Sequence, residues 1–268
     1  MFSIYHNYYQ RLVHFSIKNQ KGLNHKKAMS RFFIILGLKI KYLSVFFKKS
    51  IDLPYLEVFV TTHCNLRCAG CSNLISSCQN KGEHLDLNQI EDSLGEVLKN
   101  VHSIERIKIH GGEPFLYPEL AQFTDFLGKQ EKIHSIRLAT NGTIIPSKED
   151  LEAFAKAGVH IHFSNYSSQV AKNREKLSTV LSSYHIKNYQ LVDQKWRDMG
   201  DVTLKNRSSK ETERMVKKCT ARQCTSLYKD KIFVCSRAAM MEKQGLIPPI
   251  QDSIPVYTTQ RDFEKKMK

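Results

Sequence analysis

No run of apolar residues approaches the roughly 18 that a helix needs to cross a bilayer. The longest, Phe32-Phe33-Ile34-Ile35-Leu36-Gly37-Leu38, lies far from the start and among lysines. Neither a membrane span nor a secretory leader is therefore expected. Aspartate and glutamate are missing from residues 1–50, which hold ten Lys or Arg. That segment contributes +10 of the net charge of +15. The positive excess thus describes a basic arm and not the whole chain. No nucleic-acid-binding module accompanies it, so no nucleic-acid partner is expected. The arm interleaves Tyr5, Tyr8, Tyr9, Phe15, Phe32, Phe33, Phe46 and Phe47 with its basic residues. Such a segment suits weak contact with an anionic membrane surface, packing on the rest of the protein, or a partner. The seven cysteines are odd in number. With that odd count and no secretory signal expected, disulfides are a poor third choice for these cysteines, and a reducing, cytoplasmic location is expected.

What the chain does have is Cys64-Asn65-Leu66-Arg67-Cys68-Ala69-Gly70-Cys71, directly after the apolar run Tyr55–Val60. Three thiolates on one short loop suit two kinds of centre. A four-iron cluster would take three cysteine ligands and leave one iron open for another molecule. A structural zinc ion would need a fourth ligand, for which His63 and Cys78 are the candidates.

From residue 55 onward, strand and helix patterns alternate. Strands are expected over 55–61, 105–110, 135–140, 159–164 and 185–192. Helices are expected over 86–100, with Asp86 as N-cap; over 118–128, from Pro118; over 147–157; and over 168–183. Ser147 and Asp150 form a capping-box pattern, and Gly158 marks the end of that helix. Strand then helix, repeated, predicts an α/β fold with a parallel sheet, whose ligand sites gather beyond the C-terminal strand ends. The cysteine loop, Gly111-Gly112-Glu113-Pro114, Asn141-Gly142 and Ser164-Asn165 all fall there. His110, just before the glycines, is more simply a hydrogen-bonded structural residue than a catalytic one. Asn141-Gly142 is first of all a turn dipeptide.

The cysteine spacing, with GGEP about forty residues later at the end of the next strand, resembles the radical S-adenosylmethionine (radical SAM) superfamily. Gly70 stands where that family usually carries an aromatic residue. The resemblance covers roughly residues 55–195 and implies a partial (β/α)6 barrel. It implies that Cys64, Cys68 and Cys71 bind a [4Fe-4S] cluster and that AdoMet chelates the open iron. By the same resemblance, backbone around Gly111, Gly112, Glu113 and Pro114 would hold the AdoMet amino group. Asn141 would contact AdoMet or substrate, and Ser164 and Asn165 would contact the ribose or carboxylate. The implied chemistry is electron transfer from the reduced cluster, giving methionine and a 5′-deoxyadenosyl radical that abstracts hydrogen from substrate. A flavodoxin or ferredoxin would supply the electron.

Cys219, Cys224 and Cys235 surround Leu227–Val234, which reads as a hairpin turning at Lys229-Asp230-Lys231. This small cysteine-containing C-terminal β-hairpin extension resembles the SPASM/twitch tails of radical SAM enzymes. There it would bind an auxiliary iron–sulfur cluster, here with three cysteine ligands and no further cysteine before Lys268. A zinc half-site or plain buried thiols are the simpler readings of the same residues. The expected organisation is a basic arm over 1–50, a partial barrel over 51–200 and the auxiliary region over 201–268. The expected function is radical-initiated oxidation of a sugar or sugar-nucleotide, which an auxiliary cluster would serve as electron acceptor. The alternatives are modification of a ribosomal peptide and a non-enzymatic zinc or iron–sulfur protein. Lys195-Trp196-Arg197-Asp198, with the only tryptophan, would lie near the mouth.

Overall fold

A computed structural model describes residues 51–76, 82–190, 202–203, 205–219, 224–249 and 253–267. The basic arm, Cys78 and the segment around Trp196 lie outside the described residues. Among those described, no helix is long and apolar enough to cross a membrane.

The elements run β1 (Ile51–Leu53), β2 (Leu56–Thr61), α1 (Leu87–Asn100), β3 (Val101–Ile104), β4 (Ile107–Gly111), α2 (Leu120–Gly128), β5 (Ile136–Thr140), α3 (Lys148–Ala157), β6 (His160–Phe163), α4 (Arg174–Ser183) and β7 (Asn188–Gln190). The C-terminal part adds α5 (Ser209–Lys218), β8 (Ser226–Tyr228), β9 (Lys231–Phe233), α6 (Ser236–Lys243), β10 (Ile254–Pro255) and α7 (Gln260–Met267). Eight strands form one sheet in the order β10-β9-β8-β2-β4-β5-β6-β7. The six from β8 to β7 are parallel to their neighbours, while β9 and β10 are antiparallel. The sheet is open, a partial barrel, as expected.

Alternation along the strands divides the sheet into two unlike faces. Leu56, Val58, Val60, Ile107, Ile109, Ile136, Leu138, Ile161 and Phe163 are all buried. They share one continuous core with the apolar stripes of the helices, including Leu94 and Val97 of α1, Phe123 and Leu127 of α2, Phe154 of α3 and Leu177 of α4. Burying each such side chain contributes about 1.5–3 kcal/mol. The opposite face carries Glu57, Phe59, Lys108, His110, Arg137, His160, His162 and Tyr189.

Helix ends follow their caps. The Asp86 carboxylate accepts from the Gln89 N–H at 2.9 Å. Ser147 and Asp150 form the expected capping box, and Gly158 ends α3 at φ 65°. The fourth expected helix is shorter: it begins at Arg174, because Val170 faces solvent and contributes nothing to the stripe that Leu177 and Leu181 bury. The expected strand 185–192 is described as Asn188–Gln190. The small parallel pair β1–β3 was not expected.

The hairpin β8–β9 turns at Lys229, in left-handed backbone at φ 54°, and β8 lies parallel beside β2. Glu83 ties this part to the body. Its carboxylate accepts from Tyr228 Oη and from Lys243 Nζ at 2.7 Å, with Lys229 at 3.3 Å. Burial alone would raise the Glu83 pKa, but these partners hold it at about 2.

Candidate active site

The cysteine loop leaves β2 through a tight turn in which the His63 N–H donates to Thr61 Oγ1 at 3.0 Å. Within it, the Cys71 N–H donates to the Cys68 carbonyl at 3.2 Å and the Leu66 N–H to Cys64 Sγ at 3.5 Å. All three thiols are partly exposed. Burial and the neighbouring Glu113, Cys68 and Cys71 push the Cys64 thiol up to about 11, against one opposing N–H bond. Bound metal would reverse this by stabilising the thiolate. Among the described residues, no three His, Cys, Asp or Glu converge as ligands of a single ion. The ring of His63, a candidate zinc ligand, instead lies 4.5 Å from the His84 ring. A donor set of three spaced, partly exposed thiols, one of them already receiving a backbone N–H, fits the corners of a larger iron–sulfur cluster.

Gly111 and Gly112 lie against this loop. The Gly112 N–H donates to the Thr61 carbonyl at 3.0 Å and the Glu113 N–H to the His63 carbonyl at 2.8 Å. A Cβ on Gly111 would sit 2.2 Å from the Thr61 carbonyl oxygen, and one on Gly112 would sit 2.0 Å from that of His63. The glycines are thus required by contact between two backbones within the protein, whatever ligand they also approach.

Glu113 is buried. It accepts from the Asn141 N–H at 2.8 Å, from Thr140 Oγ1 at 2.9 Å and from the Phe115 N–H at 3.2 Å. Burial pushes its pKa up to about 7, and these bonds only partly oppose the rise. Pro114 opens a single helical turn, Pro114–Leu116. The side chain of Asn141 donates to Asn65 Oδ1 at 2.9 Å, which joins the third strand's loop to the cysteine loop.

The fourth segment also arrives, through a residue the sequence reading missed. The Ser164 N–H donates to the Thr140 carbonyl at 2.9 Å, and Asn165 Oδ1 accepts from Gln190 at 2.9 Å. The side chain that reaches the cysteines is Tyr166, whose Oη lies 3.1 Å from Cys68 Sγ. Its only signal in sequence is a phenol following the expected pair. Burial and Cys68 raise its pKa, so the phenol stays protonated.

Behind the loop, His110 Nε2 lies 2.8 Å from the Asn73 amide nitrogen and 3.7 Å from Glu57. Burial lowers the His110 pKa to about 4, so the ring is neutral at neutral pH. This is the structural role expected for it. Burial opposes ionisation of Glu57, but Lys108 at 3.1 Å and a bond from Tyr55 keep it charged.

Cys224 and Cys235 flank the base of the hairpin, and Cys219 caps the end of α5. The three are close enough to influence one another electrostatically. Burial pushes the Cys224 thiol up to about 12 and raises that of Cys235. A groove of about 610 Å³ lies elsewhere, between Glu91, Lys129 and Tyr257.

Residues 58–173 match the family model described as the Radical SAM superfamily. This stretch is a radical SAM domain. The GTP 3′,8-cyclase of Aquifex aeolicus is 32% identical over 135 residues, which cover 48% of this chain and 40% of that protein. The GTP 3′,8-cyclase of Alkaliphilus oremlandii is 29% identical over 108 residues, covering 40% and 32%. The chain thus spans no more than 40% of the length of these two curated relatives. The crystal structure of BtrN in complex with AdoMet and 2-DOIA is similar at TM-score 0.52 and 15% identity, covering 81% of this chain and 88% of that one. That likeness concerns the fold.

Proposed function

We propose that this chain is a radical SAM enzyme in which Cys64, Cys68 and Cys71 hold a [4Fe-4S] cluster, with AdoMet bound beside it. The observation that carries this reading is the meeting of four strand-end segments at the cysteine loop, through Glu113, Asn141 and Tyr166. Bound together, cluster and AdoMet supply hydrogen-abstraction chemistry. The protein's own part is positional. Glu113 fixes the turn after β5, Asn141 fixes Asn65, and Tyr166 donates toward Cys68. Backbone around Gly111 to Pro114 with Asn141, Ser164 and Asn165 forms the candidate AdoMet wall.

For substrate, the reading is a sugar- or nucleotide-like small molecule, to which the curated relatives named GTP 3′,8-cyclase lend support. Cys219, Cys224 and Cys235 are the proposed ligands of an auxiliary cluster, and with it the reaction would be a net oxidation. A flavodoxin- or ferredoxin-type protein is the proposed electron donor, and the cytoplasm the proposed location. The test is anaerobic reconstitution followed by dithionite and AdoMet, with 5′-deoxyadenosine measured beside a Cys68→Ala control. Formation that depends on Cys68 supports the reading. Its absence from protein with a full iron and sulfide complement contradicts it. Replacing Cys219, Cys224 and Cys235 together by alanine should lower the iron content but leave that of the first cluster.

A further inference from the structure

The polar face of the sheet is ordered in rows. Register places Ser226, Glu57, Lys108, Arg137 and His160 side by side across five strands. Two residues further along the strands, Ala139, His162 and Tyr189 are neighbours. The first row contains one carboxylate, Glu57, and Lys108 pairs with it at 3.1 Å. Arg137 has no carboxylate partner among the described residues. One of its terminal nitrogens donates to Tyr189 Oη at 2.6 Å, while its Nε is buried without a hydrogen-bond partner. His162 stacks on Tyr189, with ring centroids 5.3 Å apart and planes within 10°, and its Nε2 is also buried without a partner.

Two buried nitrogens left unbonded on adjacent strands, beside a guanidinium with no counter-charge, describe a site for an anion. Unmet buried polar atoms are costly; Arg137 Nε–H is a fixed donor, His162 Nε2 is one in the tautomer that carries its proton there, and charge-assisted bonds to a planar guanidinium favour phosphate or carboxylate. Both side chains are only partly covered, so solvent reaches them. The field agrees with this. Burial, Lys108 and Arg137 lower the His162 pKa to about 4, so a positive potential already acts on the ring.

We propose that this face binds a phosphoryl group of the substrate, with Arg137 as its anchor and His162 beside it. This deepens the radical SAM reading and rests on it for the word substrate. The anion would lie along the strands from the cysteine loop, at the depth of Arg137 and His162, leaving the rest of the molecule to extend toward the loop.

The test is titration of the full-length protein with pyrophosphate at low salt, followed by calorimetry, with acetate as the comparison anion. Arg137→Gln and His162→Gln are compared with wild type and with Lys156→Gln, an exposed charge control on α3. Circular dichroism checks folding, and His162→Gln decides should Arg137→Gln fail to fold. We expect saturable pyrophosphate binding that weakens about ten-fold or more in Arg137→Gln, weakens in His162→Gln and is unchanged in Lys156→Gln. Absence of binding, unchanged binding in both site variants, or equally tight acetate overturns the proposal. Iron and sulfide analysis of the same preparation separates the two readings. A protein that holds the cluster and ignores pyrophosphate sinks this proposal alone. One that binds pyrophosphate at Arg137 and holds no cluster sinks the radical reading.

Discussion

Ser236 Oγ donates to the side-chain oxygen of Asn73 at 2.7 Å, and the same amide meets His110 at 2.8 Å. Asn73 follows Cys71 by two residues and Ser236 directly follows Cys235, so one amide links the two cysteine regions through the end of β4. Replacing Asn73 by alanine leaves two buried partners, His110 and Ser236, unmet, which costs about 1–3 kcal/mol. Hydrogen exchange in residues 226–243 should quicken, while strands β5 and β6 keep their protection. Unchanged exchange in the hairpin would show that this link does not hold it.

The contact between Gly112 and the His63 carbonyl predicts a severe effect from one methyl group. A Cβ there would sit 2.0 Å from backbone oxygen, so Gly112→Ala must push the cysteine loop aside. The chain should still fold, with lower stability, and take up less than half the wild-type iron on reconstitution. Full iron uptake by this variant would mean that the loop tolerates displacement.

Glu113 gives a pH signature. Its ordinary pKa of 4.5 rises to about 7 in the folded protein, mainly through burial. Between those values the folded state binds the extra proton. Stability from this group is therefore full below about 4.5 and falls as pH rises through about 7, by on the order of 3 kcal/mol. Glu83 acts in the opposite sense, because its folded pKa of about 2 makes its contribution disappear as pH falls from about 4.5 toward 2. Urea unfolding of wild type and Glu113→Gln from pH 4.5 to 7.5 should show two curves that converge as pH rises. Parallel curves would contradict the buried-carboxylate account.

With Cys68 as a thiolate ligand of the proposed cluster, the Tyr166 hydroxyl 3.1 Å away would donate to its Sγ and draw negative charge from it. Tyr166→Phe should therefore shift the cluster's reduction potential to a more negative value without lowering iron content. Potentiometric titration followed by electron paramagnetic resonance reads this directly, and an unchanged potential would show that the phenol does not act on the cluster.

Much of this architecture was legible in sequence because local signals and packing agree. Asp86, the Ser147–Asp150 pair and Gly158 mark helix ends that the structure reproduces. Leu94, Phe123 and Leu177 lie on the stripes that are buried. The strand-end motifs converge because a parallel sheet puts them at one edge. What was hidden depends on long-range pairing. Ser226 lies beside Glu57 across 169 residues of sequence, and nothing local to β8 specifies that neighbour. The glycines were read for ligand approach, whereas their crowding against Thr61 and His63 requires knowing that two loops meet. Tyr166 was passed over because the resemblance pointed to the two residues before it. The charged rows show as period-two alternation in Lys108–His110 and His160–His162, but their meaning needs the register.

The most direct test of the central claim is low-temperature electron paramagnetic resonance of the Cys219, Cys224 and Cys235 triple alanine variant. The protein is reconstituted anaerobically and reduced, then measured before and after addition of AdoMet. A site-differentiated cluster on Cys64, Cys68 and Cys71 predicts about four irons per chain and a [4Fe-4S]+ signal whose g-values change when AdoMet binds. Bound zinc, or a cluster signal indifferent to AdoMet, would contradict it.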